Sequence, residues 1–316
     1  MKAVLYRRYG GPEVLEYADL PEPAIGDRQV LVKVHAAGVN PVDWKLRRGT
    51  PRIPFVRWPR IPGSDIAGEI VRVGRSVTQF QPGEAVYAML SPFSSSGGCA
   101  EFAAVPERVV TRKPGKLTFG EAAAVPLAAL TALQALRDQG RIARGHGVLI
   151  NGASGGVGSF AVQIARVYGA EVTAVTSRNN KEFMKTLGAN SVLDYALEDF
   201  TALPSRYDLI FDAVGLRSFR QCQHALRPKG IYVSTLPKLS TVVRMMIGPL
   251  AGGKQARVLT VRARGIDLEQ LTAWIEAGQV RPQIDRILPL SKTAEAHAYS
   301  EGGHARGKIV IDVIGR

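Results

Sequence analysis

The sequence predicts an α/β chain of two domains, a doubly wound parallel sheet joined to a small β-barrel or sandwich. Three observations carry this. At 316 residues the chain is long enough for two cores. From residue 1 to about 118 it runs in short alternating stretches broken by Pro and Gly, and from 119 to about 280 strands and helices interleave. The segment Asn151–Gly158, NGASGGVG, sits between an apolar strand and a helix. Composition agrees: 46% hydrophobic and 22% charged residues exclude a disordered chain. The two cysteines, Cys99 and Cys222, are far apart and outside any CxxC, which excludes a disulfide scaffold and a cysteine-built zinc site. His35, His146, His224, His297 and His304 show no mutual metal spacing.

The elements follow in order. Met1–Tyr6 reads as a first strand, and Gln29–His35 alternates Val30, Val32 and Val34 against Leu31 and Lys33. Glu69–Val73, Ala85–Met89 and Glu101–Val105 are further short strands, separated by Gly74, Pro82-Gly83 and Gly97-Gly98. Thr118 followed by Glu121 predicts a capping box that opens a helical stretch over Phe119–Gln139. Strand Val148–Ile150, helix Ser159–Tyr168, strand Glu171–Val175, helix Lys181–Leu187 and strand Ser191–Leu193 come next. Asp208–Ala213, Ile231–Ser234 and Val258–Val261 are expected as buried strands, and Leu268–Ala277 as a last long helix before mixed short elements from about 281 to 316.

The glycine-rich segment has the spacing of a dinucleotide-binding βαβ unit. Glycines let backbone approach a pyrophosphate, and the helix N-terminus offers free N–H donors and a favourable dipole. On the G-x-G-x-x-G pattern Ala153 takes the first position, while Gly155 and Gly158 fit; Ala153, Ser154, Gly155, Gly156 and Val157 are the expected phosphate contacts. The following strand ends Val175-Thr176-Ser177-Arg178-Asn179-Asn180-Lys181 without an acid. An acid there would hold a free ribose 2′-hydroxyl and repel a 2′-phosphate. Ser177, Arg178 and Lys181 instead favour NADPH.

At these residues the chain resembles the medium-chain dehydrogenase/reductase superfamily, in its zinc-independent, zeta-crystallin-like quinone oxidoreductase branch. The stretches that carry the resemblance are Gly38–Asp43 (GVNPVD), Pro62–Val73 (PGSDIAGEIVRV), Gln81–Val86 (QPGEAV), Val125–Ala135 (VPLAALTALQA), the glycine turn, Asp208–Gly215 (DLIFDAVG) and His304–Ile309 (HARGKI). The resemblance implies a GroES-like catalytic domain over 1–118, a Rossmann domain over 119–280 and a return to the first domain over 281–316, with the nicotinamide in the cleft between them. Zinc-dependent members carry a Cys where Asn40 stands and Gly-His-Glu where Gly63-Ser64-Asp65 stands, so no metal is expected. Hydride delivery from NADPH to a quinone or an α,β-unsaturated carbonyl remains.

Several site residues follow from the resemblance. Asn40 and Asp43 lie on the GVNPVD turn beside the expected nicotinamide, and Lys45 follows it: Asn40 to donate to a substrate carbonyl, Asp43 to brace the loop, Lys45 to hold the ribose or the growing oxyanion. Thr131 would face the nicotinamide, Tyr195 the adenosine-side phosphate, and Val214, Ser234 and Leu236 lie past the ends of sheet strands. Met245-Met246-Ile247 would line a substrate pocket or be ordinary packing. A homodimer is implied, with Val258–Val261 as a pairing strand.

The formal net charge is +14. No acid stands between Asp43 and Asp65, where Lys45, Arg47, Arg48, Arg52, Arg57 and Arg60 gather, and none between Asp212 and Asp267. Such a field would steer a multiply charged NADPH. The rival reading is a binding protein that keeps the fold and uses its basic surface for RNA or an anionic membrane. No RNA-recognition motif or interleaving of aromatic and basic residues supports it, and nucleic acid is not an expected partner. No stretch is long and apolar enough to span a bilayer, and a cytoplasmic location is expected.

Overall fold

The computed structural model describes residues 1–236, 245 and 253–315. The β-branched run of Gln29–His35 becomes the central strand of the N-terminal part. Strands β1 (Lys2–Leu5) and β2 (Glu16–Asp19) pair as a ribbon, and β3 (Gln29–Val39) follows. Helix α1 (Pro41–Arg47) then leads to β4 (Asp65–Val73), β5 (Ala85–Met89), β6 (Phe102–Pro106) and β7 (Val110–Arg112). Leu31, expected on the face opposite the valines, is as fully buried as they are, while Lys33 on the same face is exposed, so that face is covered only in part.

The predicted helix Phe119–Gln139 is three pieces: α2 (Phe119–Ala123), α3 (Pro126–Gln134) and a wide turn over Ala135–Gln139. Pro126 has no N–H to give, so the chain breaks before it and restarts with proline in the first turn. The Thr118 capping box forms: the Thr118 hydroxyl accepts from the Glu121 N–H at 3.2 Å, and Glu121 accepts from the Thr118 N–H at 2.8 Å.

Strands β8 (Gly147–Asn151), β9 (Glu171–Thr176), β10 (Ser191–Asp194), β11 (Tyr207–Asp212), β12 (Leu226–Ser234) and β13 (Gln255–Val258) form an all-parallel sheet in the order β10-β9-β8-β11-β12-β13. Helices α4 (Gly156–Val167), α5 (Lys181–Thr186) and α6 (Phe219–Cys222) connect them. The order reverses between β8 and β11, which makes the carboxyl ends of those strands the switch point of a Rossmann sheet. The last strand lies three residues earlier than the expected Val258–Val261. Its register pairs Gln255 with Ile231 and Val258 with Ser234, so partner geometry and not β-propensity sets its bounds.

The tail returns to the first sheet. Helix Gly265–Glu276, β14 (Ile284–Pro289), helix Thr293–Glu301 and β15 (Lys308–Asp312) close the chain, with β15 antiparallel to β3 through Ile309–Val39. Contacts divide the chain into two compact units, Met1–Leu130 with Arg262–Arg316, and Thr131–Val261. The texture changes near residues 118 and 280 lie outside the second unit, because α2 packs on β3 and β4 and helix Gly265–Glu276 packs on β7. Met245 is partly exposed, while Met246 and Ile247 lie outside the described residues.

Candidate active site

In the parallel-sheet unit the glycine turn is built from backbone constraints. Gly152 holds φ at +77°, so the left-handed residue of the turn is Gly152 and not the expected first motif position, Ala153. The N–H groups of Gly152 and Ala153 both donate to the Val175 carbonyl, at 3.2 and 3.0 Å. Thr176 at the end of β9 donates from Oγ1 to Ser154 Oγ at 2.8 Å. Helix α4 begins at Gly156 with Gly155 as its cap, and no side chain caps it. Its first-turn N–H groups therefore face the turn as anion donors. A Cβ on Gly158 would lie 2.2 Å from the Gly152 carbonyl oxygen, so glycine alone lets helix and strand close.

The neighbouring strand ends complete the edge. Asp212, fully buried at the end of β11, accepts from Asn151 Nδ2 and the Gly215 N–H at 2.9 Å, and from the Arg217 N–H and the Tyr232 hydroxyl at 3.0 Å. This carboxylate ties the loops after β8 and β11 together, and reading the sequence did not single it out. Val214 lies over Gly152, where an added Cβ would meet it at 2.1 Å, and Gly215 packs against Leu236. The Leu236 N–H donates to Ser234 Oγ at 3.2 Å. Ala153, Ser154, Gly155, Gly156, Val157, Val214, Ser234 and Leu236 thus meet at one sheet edge. Thr131 is buried on α3.

Beside this edge is a groove of about 350 Å³ lined by Ser177, Arg178, Asn179, Asp194, Tyr195, Ala196 and Leu197. The size suits a nucleotide-sized ligand. Tyr195 and Leu197 are exposed, presenting apolar surface. The exposed Arg178 guanidinium has no hydrogen bond or ion pair among the described residues, whereas Lys181 is 3.8 Å from Glu198. Ser177 Oγ accepts from Asn180 Nδ2 at 3.1 Å, leaving its own proton to donate. Asp194 is buried and accepts from the Ala196 N–H at 3.1 Å. A glycine cradle, an uncapped helix start and a free cation in an adjoining groove fit a nicotinamide dinucleotide.

In the barrel unit the GVNPVD segment joins the end of β3 to the start of α1. Asn40 is its N-cap, Pro41 opens it, and the Asp43 carboxylate accepts from the Asn40 N–H at 2.8 Å. Asp43 also accepts from Ser64 Oγ at 2.7 Å. Burial, offset in part by those two bonds, pushes its carboxyl up to about 6. Asn40 Nδ2 donates to Asp65 at 2.8 Å, and the Leu127 N–H donates to the other Asp65 oxygen at 2.7 Å. The buried Lys308 ammonium lies 3.1 Å from Asp65 and donates to Asn40 Oδ1 and, at 3.3 Å, to the Val39 carbonyl. Asn40 and Asp43 are thus 2% and 5% exposed, with their polar atoms committed inside the protein. Lys45 is partly exposed, has no acid partner among the described residues and sits 5.5 Å from the Trp44 ring; burial lowers its ammonium's pKa.

Ser64, Asp65 and Lys308 were not singled out as site residues. Their sequence signal was present, in Gly63-Ser64-Asp65 and in HARGKI, but their meeting is a tertiary event. Among the described residues no three or more His, Cys, Asp or Glu side chains gather as a metal site. A carboxamide, a hydroxyl and a carboxylate already paired with a lysine are also a poor donor set for Zn²⁺, which prefers thiolate and imidazole.

Comparison with known proteins agrees with this geometry. Residues 26–127 match the family described as alcohol dehydrogenase GroES-like domain, and residues 187–311 match the family described as zinc-binding dehydrogenase. The chain is 37% identical to the chloroplast envelope quinone oxidoreductase homolog of Arabidopsis thaliana, over 99% of this chain and 98% of that protein. It is 36% identical to the NADPH-dependent alkenal/one oxidoreductase, chloroplastic, of the same plant, over 98% of this chain and 79% of that one. The solved quinone oxidoreductase from Coxiella burnetii superposes with a TM-score of 0.89 at 34% identity, covering 99% of each chain. With full-length relatives at this identity, a Rossmann sheet and a barrel whose zinc-ligand positions hold Asn40, Ser64 and Asp65, the chain belongs to the zinc-independent quinone oxidoreductase branch of the medium-chain dehydrogenase/reductase superfamily.

Proposed function

We propose that this protein is an NADPH-dependent reductase of quinones and α,β-unsaturated carbonyls. The observation that carries the cofactor choice is Arg178: a guanidinium beside Ser177 with no acid partner among the described residues, in a groove at the end of β9 whose rim offers no exposed acid from that strand. The acceptor class is supported by the similarity to the quinone and alkenal/one oxidoreductases and by the missing zinc donor set.

When bound, NADPH supplies a hydride to the electron-poor carbon of the acceptor. The chain's own residues bind and orient. The α4 N-terminus and the glycine turn take the pyrophosphate, with Val214, Ser234 and Leu236 at the adjoining strand ends and Thr131 toward the nicotinamide. Ser177 and Arg178 take the 2′-phosphate, and Tyr195 approaches the adenosine-side phosphate. Lys181, held by Glu198, adds charge to the rim rather than a direct contact. Asn40 and Asp43 are positioning residues that set the first turn of α1 and so aim Lys45. The Lys45 ammonium donates to the carbonyl oxygen as negative charge grows there, and its lowered pKa makes release of a proton easier. Two copies pair through the free edge of β13, the outermost strand of the parallel sheet. No helix among the described residues is long and apolar enough to cross a membrane.

Arg178→Ala tests the cofactor assignment. It removes a charge-assisted contact worth about 1.5–3 kcal/mol, so the KM for NADPH rises about 10- to 100-fold while that for NADH stays put. Equal changes for both cofactors would refute it. Failure to oxidise NADPH with either 1,4-quinones or 2-alkenals would refute the substrate class.

A further inference from the structure

The segment between α1 and β4 is acid-free from Trp44 to Ser64 and ends in an exposed aromatic tip. Phe55 is 100% exposed, and its φ of +53° is a left-handed conformation that a bulky L-residue adopts only at a cost. Trp58 and Phe93 add 37% and 57% exposed aromatic surface. Arg52 and Arg57 are exposed and have no acid partner among the described residues.

The base beneath the tip is firmly built. The Trp58 ring meets Tyr6 and Tyr9 edge-on, with centroids 5.6 and 5.2 Å apart. The Ile53 N–H donates to the Tyr9 hydroxyl at 3.0 Å. Arg60, buried two residues after Trp58, donates to the Tyr6 hydroxyl at 3.1 Å and to the carbonyls of Pro92 and Ser94 at 3.0 and 2.8 Å. The loop bearing Phe93 is therefore fastened to the same base. Nothing in this arrangement hides Phe55; the fold holds it outward between two unpaired arginines.

We propose that this tip seats the protein on an anionic bilayer surface. Phe55, with Trp58 and Phe93 beside it, enters the boundary between headgroups and acyl chains, and Arg52 and Arg57 pair with lipid phosphates. The chemistry is complementary on both counts. Aromatic side chains favour that boundary, and basic residues near it are drawn to anionic headgroups. The net charge of +14 adds long-range attraction. A bilayer is also where apolar quinones dissolve, which joins this surface to the proposed function; the attachment itself stands independently of that reading.

Co-sedimentation of the full chain with vesicles tests it. One vesicle is phosphatidylcholine alone, the other phosphatidylcholine with phosphatidylglycerol as the minor component. The expected result is binding to the second only, reversed by high salt. Arg52→Gln and Arg57→Gln each weaken it about fivefold. Phe55→Ser weakens it about tenfold or more. Arg220→Gln, an exposed arginine of the other unit that removes the same net charge, changes it far less. Reduction of a water-soluble quinone by Phe55→Ser stays at the wild-type rate, which shows that the variant is folded. No preference for the anionic vesicle, or equal binding by Phe55→Ser and wild type, overturns the proposal. So does sensitivity to Arg52 and Arg57 without sensitivity to Phe55, because that pattern marks a soluble polyanion.

Discussion

Replacing His297 with leucine should remove an acid-side loss of stability. His297 is fully buried in helix Thr293–Glu301, with both ring nitrogens unpartnered. Burial, reinforced by the Arg47 guanidinium, holds its imidazole down to about 3. The unfolded chain takes up that proton near 6.5, so between these values the folded state binds fewer protons than the unfolded one. The stabilisation is complete above about pH 6.5 and is lost as pH falls, amounting to about 2 kcal/mol by about pH 5. Asp43 acts in the opposite sense. Its carboxyl is raised to about 6, so the folded state binds more protons below that value. Stability then rises as pH falls through 6, by about 1.3 kcal/mol between about pH 7 and about pH 5. His297→Leu therefore keeps about 2 kcal/mol that the wild-type protein loses between about pH 7 and about pH 5. Leucine removes two unpartnered buried nitrogens and keeps a similar volume, so the barrel retains its packing. Urea unfolding of both proteins at a series of pH values reads the difference, because every other titrating group is shared. Parallel curves, differing in slope by less than ~0.5 kcal/mol over the interval, would refute a neutral buried His297.

Three further outcomes follow from the same geometry. Lys308→Met leaves the Asp65 carboxylate buried without its cation and should cost about 3–5 kcal/mol in thermal or urea unfolding, with Lys308→Met/Asp65→Leu recovering most of it; a loss under ~1 kcal/mol would show that the pair is not desolvated. Gly158→Ala places a Cβ 2.2 Å from the Gly152 oxygen and 2.6 Å from Ala153 Cα, so the turn must open and NADPH and NADH affinities should fall together in a calorimetric titration; unchanged affinity for either would remove the turn from the cofactor site. Lys45→Met should lower kcat with 2-alkenals by about 10²-fold or more, as loss of a donor to a developing oxyanion does, with little change in the KM for NADPH; an unchanged kcat would remove its role.

Much of the protein was legible in the residues. The alternation of Gln29–His35, the Thr118–Glu121 cap and the strand–glycine–helix run of Val148–Tyr168 depend on local chemistry, where side-chain period and capping act over a few positions. The Ser177–Arg178 pair was legible for the same reason, since it directly follows a strand whose end is predictable. Other features were not. Asn40-Pro41-Val42-Asp43 carries a helix start in local residues, whereas the Lys308 ammonium that donates to Asn40 comes from the far end of the chain and leaves no local signal. The strand Gln255–Val258 is more polar than the Val258–Val261 run that propensity favours, and only its partner Ile231–Ser234 decides the matter.

The two kinds of layered architecture, the family, the glycine turn and the lack of zinc-ligand residue types at Asn40, Ser64 and Asp65 are readable along the chain. Those are properties of residue type at short or fixed spacing. The tertiary structure alone decided that Asn40 and Asp43 are buried and hydrogen-bonded, that Lys308 neutralises Asp65, that Asp212 gathers two loops, and that Phe55 stands in solvent. Each of these depends on which distant segments exclude water from a given atom. Desolvation is set by the packing of the whole unit, and no local pattern of residues encodes it.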